Sequence, residues 1–76
     1  MNKATRKLID DLSGQIDDAK AQIEEIAEEE QEKFDNLPEG LQDGEMGQAL
    51  SEAADALFEA ASNIEDAISN LDAAQG

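Results

Sequence analysis

No cysteine, histidine, tryptophan or tyrosine occurs in the chain, and only two phenylalanines do. Without cysteine there can be no disulfide, and without cysteine or histidine the ordinary zinc sites have no ligands. The commonest general base and the best nucleophile are missing with them. Basic residues are scarce too: five against 20 acidic ones, for a formal net charge of −15. Such a chain repels phosphate, so neither direct nucleic-acid binding nor an anionic membrane surface is expected. No apolar run reaches the roughly 18 residues of a membrane span. The basic start, Met1 to Lys7, leads into no apolar signal-peptide segment, which points to a cytoplasmic protein. The 76 residues make one small domain. A chain of that size buries only about 60% of its unfolded surface and is marginal unless stapled or oligomeric.

What is present is a repeat. Ile9-Asp10-Asp11-Leu12 is followed by Ile16-Asp17-Asp18-Ala19 and by Ile23-Glu24-Glu25-Ile26, each seven residues after the last. Apolar residues alternately three and four apart mark a helix with one narrow buried seam. With Ile9 as heptad position a, the seam reads Ile9, Leu12, Ile16, Ala19, Ile23, Ile26. Asn2 or Thr5 can cap this helix. Gly14 falls on its outer face as a tolerated weak point, costing roughly 1 kcal/mol against alanine. The seam fails at Glu30 and Phe34 restores it. The helix should end near Asp35, because Pro38 restricts Leu37 and cannot continue a helix from within. Residues 36–43 read as a connection that can hold one helical turn.

The same repeat returns in residues 44–74 as Leu50–Ala53, Leu57–Ala60, Ile64–Ala67 and Leu71–Ala74, with a large residue at a and alanine at d. The chain is therefore expected to be all-α: one antiparallel, coiled-coil-like hairpin over residues 1–76, with helices at about 3–35 and 44–74. A reversal at Pro38 would face residues whose numbers sum to about 76, which sets every a against a d. It would also bring Lys3, Arg6 and Lys7 beside Glu65, Asp66 and Asp72. The second helix carries a further apolar stripe beside this seam: Ala54, Phe58, Ala61 and Ile68, with Ala49 and Ala56 on the other flank. A lone hairpin has little core, so this stripe is expected to pack on a partner, most simply a second copy that completes a four-helix bundle.

Carboxylates are abundant, yet no catalytic or metal-binding pattern emerges from them. Asp35 to Met46 fails as a calcium loop, because Leu37 and Met46 stand where ligands are needed. A di-iron bundle site needs histidine. Gly40, Gly44 and Gly47 make no phosphate loop, since no lysine follows and no strand precedes. Glu24, Glu25, Glu28 and Glu29 could gather divalent cations weakly, as any acidic stripe does. A non-enzyme without cofactor or resident metal is expected.

The acidic stripe is the stronger candidate. Asp10, Asp11, Asp17, Asp18, Glu24 and Glu25 form pairs about 10.5 Å apart along a helix. An acidic face usually serves only to solvate. Here, however, the charge density is high. Fifteen net charges on helices about 45 Å long give one per roughly 3 Å. Two hairpins side by side would give one per roughly 1.5 Å, near the value for duplex DNA. The expected partner is therefore a basic protein surface that normally holds nucleic acid.

From Glu28 to Gln42 the chain resembles small acidic helical proteins of bacteriophages and prophages. These similarly carry an E-E-Q-x-x-(F/Y)-D-N-L-P-E-(G/S)-L-Q stretch between two acidic, heptad-like segments. The resemblance implies a phage accessory protein acting in the host cytoplasm. Many small acidic phage proteins bind and inhibit host proteins, some by imitating nucleic acid. It thus implies an anti-defence inhibitor of a host nuclease or DNA-binding factor. The competing expectation is a structural or assembly adaptor whose acidic face only solvates.

Overall fold

The computed structural model describes residues 1–76 and contains three helices: α1 (Lys3–Asp35), α2 (Glu39–Gln42) and α3 (Glu45–Ala74). It is an all-α hairpin in which α1 packs along α3. Asn2 caps α1, its side-chain oxygen accepting from the Thr5 N–H at 2.8 Å. Asn36 closes the other end, its N–H donating to the carbonyls of Glu32 and Phe34. Pro38 then opens α2, where its missing N–H costs nothing. Gly44 occupies the N-cap of α3.

The connection is a built unit. The Gln42 side-chain amide donates to the carbonyl of Phe34 at 3.3 Å, which also accepts from the Leu37 N–H, and to that of Leu37 at 3.2 Å, just beyond the end of α1. The backbone of Gln42 lies directly against Gly47. A Cβ at position 47 would sit 2.1 Å from the Gln42 carbonyl oxygen. Gly47 is accordingly buried. Phe34 and Leu37 turn partly inward, whereas Leu41 and Met46 stay 55% and 65% exposed and do not help to close this end.

The seam follows a different phase from the one expected. Covered positions in α1 run through Ile9, Ser13, Ile16, Lys20, Ile23, Ala27, Glu30 and Phe34. In α3 they run through Gly47, Leu50, Ala54, Leu57, Ala61, Ile64, Ile68 and Leu71. Both helices bury heptad positions a and e, where a and d were expected. Leu12 and Ile26 are 52% and 49% exposed. The register differs as well. Lys20 contacts Glu65 and Asp10 contacts Gln75, so facing residues have numbers that sum to about 85 rather than 76. The chain reverses near Gln42, beyond Pro38, because α2 extends the connection before α3 starts. The register sets Ile16 beside Ile68, Ile23 beside Ala61, Ala27 beside Leu57 and Phe34 beside Leu50. Residues 1–8 then have no facing turn and are all exposed. Lys3, Arg6 and Lys7 form no ion pair, contrary to the placement beside Glu65, Asp66 and Asp72.

The resulting core is thin. Only Ala27, Ala54, Ala61 and Gly47 are buried, and no large side chain is fully covered. The hairpin measures 58 × 15 × 12 Å with a radius of gyration of 17.2 Å. A compact domain of this length would have about 11 Å. The hydroxyl of Ser13 lies in the seam with no hydrogen-bond partner.

Three substitutions probe this arrangement through the midpoint of thermal unfolding by circular dichroism. Gly47→Ala forces its Cβ into the Gln42 backbone and should lower stability by at least about 2 kcal/mol. Gly14 has open space around its Cβ position, so Gly14→Ala should raise stability by about 0.5–1 kcal/mol. Ser13→Ala removes an unpaired buried hydroxyl and should raise it by about 1 kcal/mol. Equal responses at positions 14 and 47 would contradict the packing of the connection.

Candidate functional site

Heptad geometry sorts the surface of the hairpin into sides. In an antiparallel pair that buries a and e, the b positions of both helices flank the seam on one side and the d positions on the other. An open hollow confirms the b side, for it is lined by Lys20, Glu24, Phe58, Ala61, Ser62 and Glu65. Glu24 is a b residue of α1, and Phe58 and Glu65 are b residues of α3.

The six carboxylates of the expected acidic stripe fall into two sets. Asp10, Asp17 and Glu24 are b residues at the edge of the seam. Asp10 accepts from the Gln75 side-chain amide at 2.8 Å. Asp17 and Glu24 lie 3.8 and 3.9 Å from the Lys20 ammonium. Asp11, Asp18 and Glu25 are c residues on the outer side of α1, away from α3. All three are exposed, and none has an ion-pair or hydrogen-bond partner. One ladder of carboxylates thus belongs to the fold, and a second is free.

Lys20 organises the first ladder. Its stem lies in the seam and its ammonium reaches out to Glu65 across the helix interface. This is the only ion pair between the helices. The hydrogen bond to Glu65 holds the Lys20 pKa above the ordinary lysine value; burial opposes this, and the charges of Glu65, Glu24 and Asp17 add to it. Lys33 is raised likewise by its hydrogen bond to Glu30, 2.9 Å away on the same helix.

The apolar stripe expected to bind a partner is not one surface. Ala54 and Ala61 are 0% and 6% exposed inside the hairpin, and Ile68 lines the same seam. Those three residues hold the two helices together. Phe58 alone remains outside, 40% exposed beside Lys20 and Glu65. The large exposed apolar residues of α1 are Leu8, Leu12 and Ile26, on the d side. Sequence reasoning had enclosed Leu12 and Ile26 in the seam and so missed that face. No group of acidic side chains is arranged to hold a metal ion. No helix is long and apolar enough to cross a membrane.

Lys20 gives a pH test. Its folded-state pKa is above its unfolded one, so its contribution is complete below the ordinary value of 10.5 and fades as pH rises through the folded-state value. Thermal stability should therefore fall in alkaline solution above that value, and Lys20→Met should flatten the fall. An unchanged alkaline profile in Lys20→Met would remove Lys20 from this role.

No protein-family model matches the chain, and no curated protein or solved structure is similar to it.

Proposed function

We propose that the protein acts by non-covalent contact, presenting its acidic outer surface to a basic, nucleic-acid-binding surface of another protein and blocking it. The observation that carries this reading is the free ladder of Asp11, Asp18 and Glu25. These carboxylates repeat about 10.5 Å apart on one side of a straight helix and are spent on no contact within the fold. Rigid, unpaired charge of one sign attracts a basic groove over distance and speeds encounter. A net charge of −15 over a length of 58 Å gives one charge per about 4 Å. Two hairpins side by side would give one per about 2 Å, against about 1.7 Å for duplex DNA. The linker's likeness to phage and prophage proteins supports a host protein as the target, in the bacterial cytoplasm and of anti-defence type.

The second reading is an assembly adaptor whose charges only solvate. It draws on Asp10, Asp17 and Glu24, whose contacts with Gln75 and Lys20 give half of the acidic stripe a structural duty. In that case the free apolar group on the same side, Phe58, would carry the contact.

Affinity capture from bacterial lysate separates the two. A DNA-competing target should be held at low salt, released at high salt, and displaced by duplex DNA. The triple variant Asp11→Lys, Asp18→Lys, Glu25→Lys should weaken its binding at least about tenfold, since charge-reversed contacts repel. Capture that survives the triple variant but is lost in Phe58→Asp would sink the acidic-surface reading in favour of the adaptor.

A further inference from the structure

We propose that the protein is a face-to-face homodimer, closed as a four-helix bundle through the d side of the hairpin and not through Phe58. This inference stands apart from the reading of the acidic ladder.

Its first support is where charge is scarce. The side of the hairpin opposite the Lys20–Glu65 pair is built from the d and g positions of both helices. On α1 these positions run from Thr5 to Lys33, and on α3 from Met46 to Ala74; together they number eighteen, and only Glu29 and Lys33, toward the connection, are charged. A third of the whole chain is charged, so about six charges would be expected among them if placement were indifferent. Two chains of net charge −15 approach most readily where each has no net charge, and on this side Glu29 and Lys33 offset one another. No other side of the hairpin offers such a surface. A basic partner would gain nothing from it, whereas a second copy meets an equally neutral face.

Self-complementary shape adds a second reason. The α1 half of the face presents large side chains, with Leu8, Leu12 and Ile26 63%, 52% and 49% exposed. The α3 half is nearly all small, with Ala49, Ala53, Ala56, Ala60 and Ala67 in sequence. A two-fold axis parallel to the helices lays α1 of each copy on α3 of the other, large upon small. It also makes every neighbouring helix antiparallel. Such an axis preserves height along the bundle. In the observed register, Ile26 of one copy then comes over Ala56 and Ala60 of the other. Gln22 and Gln15 come level with Asn63 and Asn70, amide beside amide.

Area is sufficient. The face is about 40 Å long on α3, taking 1.5 Å per residue from Met46 to Ala74, and the hairpin is 15 Å wide. That gives about 600 Å² per copy and about 1,200 Å² in total, the lower bound for a specific interface. The hairpin exposes 5423 Å², whereas a compact monomer of its mass exposes about 4,500 Å². The excess, about 900 Å², is larger than the roughly 600 Å² that one such face would remove from each copy.

Sedimentation equilibrium of the full chain tests this, with circular dichroism as a check that each variant remains helical. The wild type should run at twice the 8.2 kDa of the chain. Ile26→Glu and Ala60→Glu are exposed or half-exposed changes that the hairpin itself tolerates. Each should weaken the dimer at least about tenfold while helicity persists. Phe58→Glu should leave it intact. Added salt should tighten the dimer, by screening repulsion between two acidic chains, whereas the same salt releases a basic partner. A wild type that stays monomeric across micromolar concentrations would overturn the proposal. So would a dimer indifferent to both face variants, one dissolved by Phe58→Glu, or an assembly larger than two.

Discussion

The close approach of the Gln42 backbone to Gly47 is the constraint on which the other contacts depend. It fixes where the chain reverses, and so which residues of α1 and α3 stand at the same height. Gln42 then ties its side chain to the Phe34 and Leu37 carbonyls, and this helps to fix the rotation of α1 about its own axis. With Phe34 and Leu37 turned inward, the positions one heptad earlier, Ala27 and Glu30, must turn inward too. The phase propagates along both helices because a straight helix cannot change the side it presents. The Asp-Asn-Leu-Pro-Glu-Gly-Leu-Gln run is thus explained by folding: it stops one helix, adds a capped turn and seats the next.

That phase produces a poor seam and a free face at once. It places Ser13, Lys20 and Glu30 in the contact zone, while Leu12 and Ile26 turn outward. Seen within one hairpin this is wasteful, since better apolar residues lie one position away. A helix in a four-helix layer contacts two neighbours, however, and needs apolar residues at a, d and e together. Lys20 supplies register in place of burial, as a lone polar group in a helical seam can, whereas Glu30 pairs with Lys33 on its own helix. Lys20 pairs with Glu65 across the seam, and a slip of one heptad toward the connection would set it against Phe58 instead.

The hairpin, the capping by Asn2 and the helical turn after Pro38 were legible in the residues, because each rests on local chemistry. The seam phase was not, for a period of seven cannot by itself separate a/d from a/e. Two residues held the missing information. Phe34 lies four after Glu30, which makes it an e residue, and Ile68 is the bulky e residue of the second repeat. Weighting those two over the alanines at d would have given the observed seam. The register depended on a non-local fact, the contact of Gln42 with Gly47. A glycine at the start of a helix announces permissiveness without saying which backbone comes close. The acidic stripe was legible as charge but not as two ladders, because the division between b and c follows from the seam phase.

The separation of faces bears on how an acidic protein of this size can have any specific surface at all. Net repulsion opposes every association with a like-charged molecule, and a thin seam leaves little energy to spare against it. The chain meets this by partition. Carboxylates at b brace the edge of the seam through Lys20 and Gln75. Those at c point outward with nothing to neutralise them. The d side carries only Glu29, offset by Lys33. Charge that is free at c raises the affinity for a basic surface without entering the packing of the helices. The neutral d side allows close approach without weakening that attraction. Self-association through d would also rigidify the hairpin and hold two c ladders on opposite outer sides of one body. The binding surface and the means of stabilising it would then be two phases of the same heptad, separated by the rotation that the connection imposes.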